Sequence, residues 1–169
     1  MEAAGAVESR PVDDGLLYLD DLRVGQRFTT GEYELDADGA VAFASQWDPQ
    51  PFHTDAEAAA GSFFGELVAS GWHTAAITMR LAVQGLPIAG GLIGAGGEIS
   101  WPAPTRPGAV LHVEAEVLEV RPSRSRPDRG MAVVRMETVD REGSVAQVFT
   151  VTMVVPRRPS AGDAGDAGD

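Results

Sequence analysis

Cysteine and lysine are both missing from the 169 residues, and histidine occurs only three times. Without cysteine there is no disulfide, no thiolate nucleophile and no zinc–thiolate site. Without lysine there is no lysine Schiff base. All thirteen basic side chains are arginine, the planar cation that matches carboxylate and phosphate. No apolar run reaches the roughly 18 residues a membrane helix needs, and the opening MEAAGAVESR lacks a basic start followed by an apolar core. A cytoplasmic protein with no membrane partner is expected. The formal charge of −12 argues against nucleic acid as a partner, because a phosphate backbone would be repelled.

What is present divides the chain into three parts. Residues 1–15 and 156–169 are rich in small and charged side chains, the second ending in AGD repeats, and are expected to be flexible tails. Residues 16–155 are long enough for one domain with a core of its own. Within it, FTTGEYELD alternates as a strand does, and Asp36 stands as an N-cap ahead of a short helix in ADGAVAFASQW. DAEAAA reads as a second short helix. GWHTAAITMRLAVQGL reads as a longer one, with Trp72, Ala75, Ala76, Met79 and Val83 at helical spacing as its core face, ended by Gly85 and Pro87. Four segments then follow, LIGAGGEISWPAP, AVLHVEAEVLEVRP, GMAVVRMETVDREG and VAQVFTVTMVVP. They are rich in Val, Ile and Thr and are separated by turns, which predicts antiparallel strands. His112 alternates within one of them and is expected on an exposed face. The fold class is α+β, a helix packed on an antiparallel sheet.

The stretch WDPQPFHTD, Trp47 to Asp55, is where chemistry concentrates. Pro49 and Pro51 each fix φ and remove a backbone donor, so a stiff loop is predicted that carries Asp48 and His53. Taken alone, Asp48 also suits an Asx turn, and His53 with Asp55 suits a cap on the next helix. No recognised metal-ligand spacing joins His53, Asp55 and His73, so no metal is expected.

Taken together, the D-x-x-P-x-H-x-D loop, the helix opening SGWH and the WPAPTRPG turn between strands resemble the MaoC-like acyl dehydratases, which include (R)-specific enoyl-CoA hydratases. The resemblance runs from about Leu17 to Val155. It implies a single hot-dog fold, a curved antiparallel sheet wrapped around one long helix. It also implies Asp48 and His53 as the catalytic pair, and the N–H of Gly71 as the donor to the thioester oxygen. A glycine at a helix start, where unpaired N–H groups and the positive end of the dipole converge, suits that role; a plain cap or tight-packing role is also open. The implied reaction is syn addition of water to an enoyl thioester, or its reversal from an (R)-3-hydroxyacyl thioester. No cofactor is needed beyond the CoA or acyl-carrier thioester that is the substrate.

Four positions depart from the family's pattern. Trp47 and Gln50 replace its usual Gly and Asn. Met79 stands where some members carry a serine that holds the catalytic aspartate. Ser70 precedes Gly71 where histidine is frequent, and a histidine appears at His73 instead. The turn RPSRSRPDRG gathers Arg124, Arg126 and Arg129, candidates to grip CoA phosphates, or else a solvated loop tied by Asp128. One catalytic loop and one long helix make a single hot dog; its edge strands predict pairing with another chain, and the resemblance implies a homodimer. Two other readings remain open, a hot-dog thioesterase and a non-catalytic acyl-binding or partner subunit.

Overall fold

The computed structural model describes residues 15–159. A 3-10 turn, Leu19–Asp21, leads into β1 (Arg27–Thr29) and β2 (Tyr33–Glu34). Four helices follow: α1 (Ala37–Trp47), α2 (Pro51–Thr54), α3 (Ala56–Ala60) and α4 (Gly71–Gly85). The chain closes with β3 (Ile93–Ser100), β4 (Val110–Pro122), β5 (Arg129–Asp140) and β6 (Val145–Pro156).

The six strands form one antiparallel sheet in the order β1-β4-β5-β6-β3, with β2 also paired to β4. This is the hot-dog arrangement, a curved sheet around α4. Period-2 alternation places Leu111, Val113, Ala115 and Val117 of β4 inward, with Glu114 and Glu116 outward. His112 shares their face, half-buried and 3.5 Å from Glu114. Facing residues Ala132, Val134 and Met136 of β5, and Val151, Met153 and Val155 of β6, complete the inner face. Ile77, Leu81 and Ala82 of α4 pack against them. At such a site, truncating Leu81 to alanine costs about 2–5 kcal/mol.

Two expectations about elements are corrected. FTTGEYELD is not one strand. From Thr29↔Glu114 to Tyr33↔Leu111 the first segment advances four residues against three on β4, and the surplus residue breaks the ladder. The Thr30 side chain bridges the gap by accepting from the Val113 N–H at 2.9 Å.

The face of α4 was also misassigned. Trp72, Met79 and Val83 are 58, 39 and 59% exposed, whereas Thr74, Ile77, Thr78, Leu81 and Ala82 are buried. Threonine can face inward because its hydroxyl finds partners there. Thr78 donates to the Thr74 carbonyl at 2.8 Å, and Thr74 shares a 2.8 Å bond with Thr105.

β6 ends at Pro156. Arg157 pairs with Asp20 at 2.6 Å and Arg158 with Asp21 at 2.8 Å, clamping the end of β6 to the 3-10 turn. The expected tails in 1–14 and 160–169 lie outside the described residues. Among the described residues, no helix is long and apolar enough to cross a membrane.

Candidate active site

The site begins with the way α1 ends. Asp36 caps its start by accepting from the Gly39 N–H at 2.6 Å, and Asp48 closes it through an N–H bond to the Ala44 carbonyl. Pro49 disfavours the helical region for Asp48, whose φ and ψ are −153° and 68°. The predicted loop is shorter than expected. Pro51 has no N–H to lose and a pre-set φ, so it starts the one-turn helix α2 at its first position. That turn places His53 inward. Asp55 then caps α3 by accepting from the Ala58 N–H at 2.7 Å, a structural task outside the site.

His53 is buried and its Nδ1 lies 2.7 Å from the carbonyl oxygen of Val68. A carbonyl only accepts, so Nδ1 carries the proton, and in the neutral ring Nε2 is left as an acceptor. Nε2 faces Asp48 Oδ2 at 3.4 Å. Asp48 is itself held on both oxygens: Gln50 Nε2 donates to Oδ1 at 2.8 Å, and Ser70 Oγ donates to Oδ2 at 2.7 Å. The Ser70 hydroxyl, more than any other neighbour, holds the Asp48 carboxyl below its usual range. Burial works against this, and the Gln50 amide and nearby His53 reinforce it. A carboxylate and an imidazole lone pair therefore face one another, and a molecule with two O–H donors satisfies both.

Gly71 opens α4 one residue after its cap, Ser70. Among the described residues nothing accepts from the Gly71 N–H. A Cβ at this position would sit 2.8 Å from Cε2 and 3.0 Å from Cδ2 of Trp101, so only glycine lets the indole lie against the helix end. Trp101 is fixed in turn. Its Nε1 donates to Gln147 Oε1 at 3.0 Å, and Gln147 Nε2 donates to Thr78 Oγ1 at 2.9 Å. Thr78 also meets Thr138 at 2.5 Å. Gln147, Thr78 and Thr138 are fully buried, and this network gives their polar atoms partners away from water.

Asp48, His53 and Gly71 thus border one cavity of about 470 Å³, walled by Phe52, Phe64, Trp72 and Trp101. Phe63 stands at it almost wholly exposed. The structure brings these three predicted residues together. It does not bring Arg124, Arg126 or Arg129 to them. Arg124 and Arg126 lie exposed in the β4–β5 turn, and Arg129 is paired with Asp128 at 2.6 Å. Thr138, beside Thr78, lies nine residues further along β5 than Arg129, which at strand rise is roughly 30 Å. The long β4–β5 hairpin carries the turn away.

Arg106 is nearer, following the cavity residue Thr105 and bound to Glu66 at 2.5 Å. Met79 faces outward and offers no hydroxyl; Ser70 supplies the bond to Asp48 instead. His73 has no part in the pair. It is buried and stacked on Phe43 with ring centroids 4.4 Å apart.

A family model described as "MaoC like domain" matches residues 21–140. A crystal structure of a MaoC-like dehydratase from Rhodospirillum rubrum superposes with a TM-score of 0.84 at 56% identity, over 85% of this chain and 99% of that one. The uncharacterized protein YdeM of Bacillus subtilis is 32% identical over 73% of this chain and 88% of its own. The 3-hydroxybutyryl-CoA dehydratase of Methylorubrum extorquens is 33% identical over 66% of this chain and 70% of its own.

Proposed function

The chain belongs to the MaoC-like family, and from that premise we propose that it is an enoyl-thioester hydratase, equally a 3-hydroxyacyl-thioester dehydratase in reverse. The observation that carries the reading is the 3.4 Å approach of His53 Nε2 to Asp48 Oδ2 in the cavity that Gly71, whose N–H has no acceptor among the described residues, also lines.

Hydration needs three things from a protein: a proton acceptor for water, a proton donor for the α-carbon, and a partner for the oxygen that gains charge. A water between Asp48 and His53 donates one O–H to each. As its oxygen bonds to the β-carbon, the pair takes one proton and returns a proton to the α-carbon on the same face. The sum is H₂O added syn across the double bond, giving the (R)-3-hydroxyacyl thioester. Enolate charge on the thioester oxygen is met by the Gly71 N–H and the positive end of α4. No electrons leave the substrate, so the reaction draws on no redox group. Which of the two residues holds the proton at each instant is a property of the pair.

A CoA or acyl-carrier thioester is the proposed substrate, and the dehydratase activity named for the Methylorubrum relative supports a CoA ester. A homodimer is proposed with it. The exposed Trp72, Met79 and Val83 stripe of α4 and the outer edge of β3, which among the described residues pairs only with β6, are its support. A phosphate grip by Arg124, Arg126 and Arg129 then requires the partner's cavity, given their distance from their own.

The test is to mix the protein with a short trans-2-enoyl-CoA and follow enoyl absorbance and free thiol together. Loss of absorbance without thiol is the expected result. Thiol release would replace the reading with a thioesterase, and binding without turnover across chain lengths would replace it with an acyl-binding subunit.

A further inference from the structure

Ser70 is 0% exposed, and its hydroxyl makes two bonds of opposite sense. Trp72 N–H lies 3.1 Å from Ser70 Oγ, and Asp48 Oδ2 lies 2.7 Å from it. A backbone N–H can only donate, so the Oγ lone pair is taken by Trp72. The single hydroxyl proton must then point to Asp48. Its one donor and the lone pair in reach of Trp72 are both committed, so Ser70 cannot ferry protons without breaking a bond to one of its partners.

We infer that Ser70 is a positioning residue. It fastens the Asp48 carboxylate to the start of α4 and keeps Asp48 the proton acceptor of the catalytic pair. This rests on the hydratase reading above, and it assigns Asp48 a definite sense within that reading.

Two arguments carry it. The first is geometric. Asp48 ends α1 and the Gly71 N–H starts α4, so acceptor and oxyanion donor belong to different helices. Ser70, the residue before Gly71, joins them through one side chain 22 residues from Asp48 in sequence. Small errors in the relative placement of such groups are costly to rate.

The second is electrostatic. Ser70 aims a donor at Oδ2 and Gln50 aims one at Oδ1. Both bonds favour the charged carboxylate, because an ionised oxygen accepts a hydrogen bond more strongly than a neutral carboxyl does. Asp48 is thereby built to accept, and the proton reaching the α-carbon is one the pair has just taken from water.

The experiment compares wild type with Ser70→Ala and Ser70→Gly. Glycine is tolerated at N-caps at a cost of only a few tenths of a kcal/mol relative to serine, so the second variant removes the hydroxyl with little loss of helix stability. The first readout needs no turnover: ¹³C-labelled aspartate is titrated by NMR, with Asp48 assigned by the signal lost in Asp48→Asn. The second is the pH profile of hydration of a short trans-2-enoyl-CoA.

Asp48 should titrate at higher pH in both variants, with kcat lower by about tenfold or more and KM little changed. The acid limb of kcat should move to higher pH. An unmoved Asp48 titration in a folded variant, with or without a fall in melting temperature, overturns the inference and leaves Ser70 a plain cap. A moved titration with undiminished kcat overturns the positioning role in catalysis. A moved titration in a protein inert toward every enoyl thioester upholds the hold on Asp48 while sinking the hydratase reading, so the two failures are told apart.

Discussion

Gly71→Ala sets two ordinary effects against each other. Replacing glycine by alanine at the start of a helix ordinarily gains about 0.4–1 kcal/mol by restricting the unfolded chain. Here the added methyl would lie 2.8 Å from Trp101 Cε2 and 3.0 Å from Cδ2, inside contact distance. The indole is not free to swing, because Gln147 holds Nε1 at 3.0 Å and Trp72 packs edge-on with centroids 5.3 Å apart. Forcing a methyl into such packing costs about 1–3 kcal/mol, so a net loss of roughly 1–2 kcal/mol follows. For a domain of this size that lowers the melting temperature by roughly 3–6 °C. The N–H survives the substitution, but the surface a thioester must approach is displaced, and kcat should fall about a hundredfold. Thermal unfolding and enoyl-CoA hydration measure the two effects, and in a Trp101→Leu background, where the obstacle is gone, Gly71→Ala should cost little further stability. A variant as stable as wild type and equally active would refute both the close packing and the role of Gly71.

Two further outcomes are expected. His73 is 8% exposed, its buried Nδ1 has no partner among the described residues, and burial lowers its pKa from 6.5, partly opposed by Asp36. The unfolded chain therefore binds the proton more readily, so stability is lost as pH falls through the unfolded value of about 6.5 toward the lower folded one. His73→Phe should flatten that decline in melting temperature, and parallel curves for the two proteins would count against the account. Val83→Arg should alter the stability of the monomer by no more than about 0.5 kcal/mol, because the side chain is exposed. If α4 faces a second copy, the same change should convert a dimer to a monomer in light scattering, and an unchanged mass would remove that face from the interface.

Much of this was legible in the sequence. Strand alternation located β3 to β6, Asp36 and Asp55 announced their caps, and the paired prolines marked the turn that carries Asp48 and His53. What escaped depended on partners distant in the chain. A threonine such as Thr78 looks polar along a helix, yet it turns inward because Gln147, Thr138 and the Thr74 carbonyl satisfy it. The apolar stripe from Trp72 to Val83 was consequently mistaken for the core face. Gln147 left one signal: it shares the inward parity of Val151, Met153 and Val155 on β6, where a lone amide needs buried partners. Ser70 stood out only as a departure from the family's frequent histidine, and nothing local tied it to Asp48. The arginines of the β4–β5 turn were readable as a cluster, and only the length of the hairpin places them far from the cavity.

The claim that Asp48 and His53 act as one unit on one water is tested most directly by kcat/KM of Asp48→Asn, His53→Gln and the double variant on a short trans-2-enoyl-CoA. Each single change should cost about 10²–10⁴, and the double variant should be no slower than the worse single, as expected of groups that serve one step. Losses that multiply in the double variant, or a single variant that keeps wild-type turnover, would contradict the account.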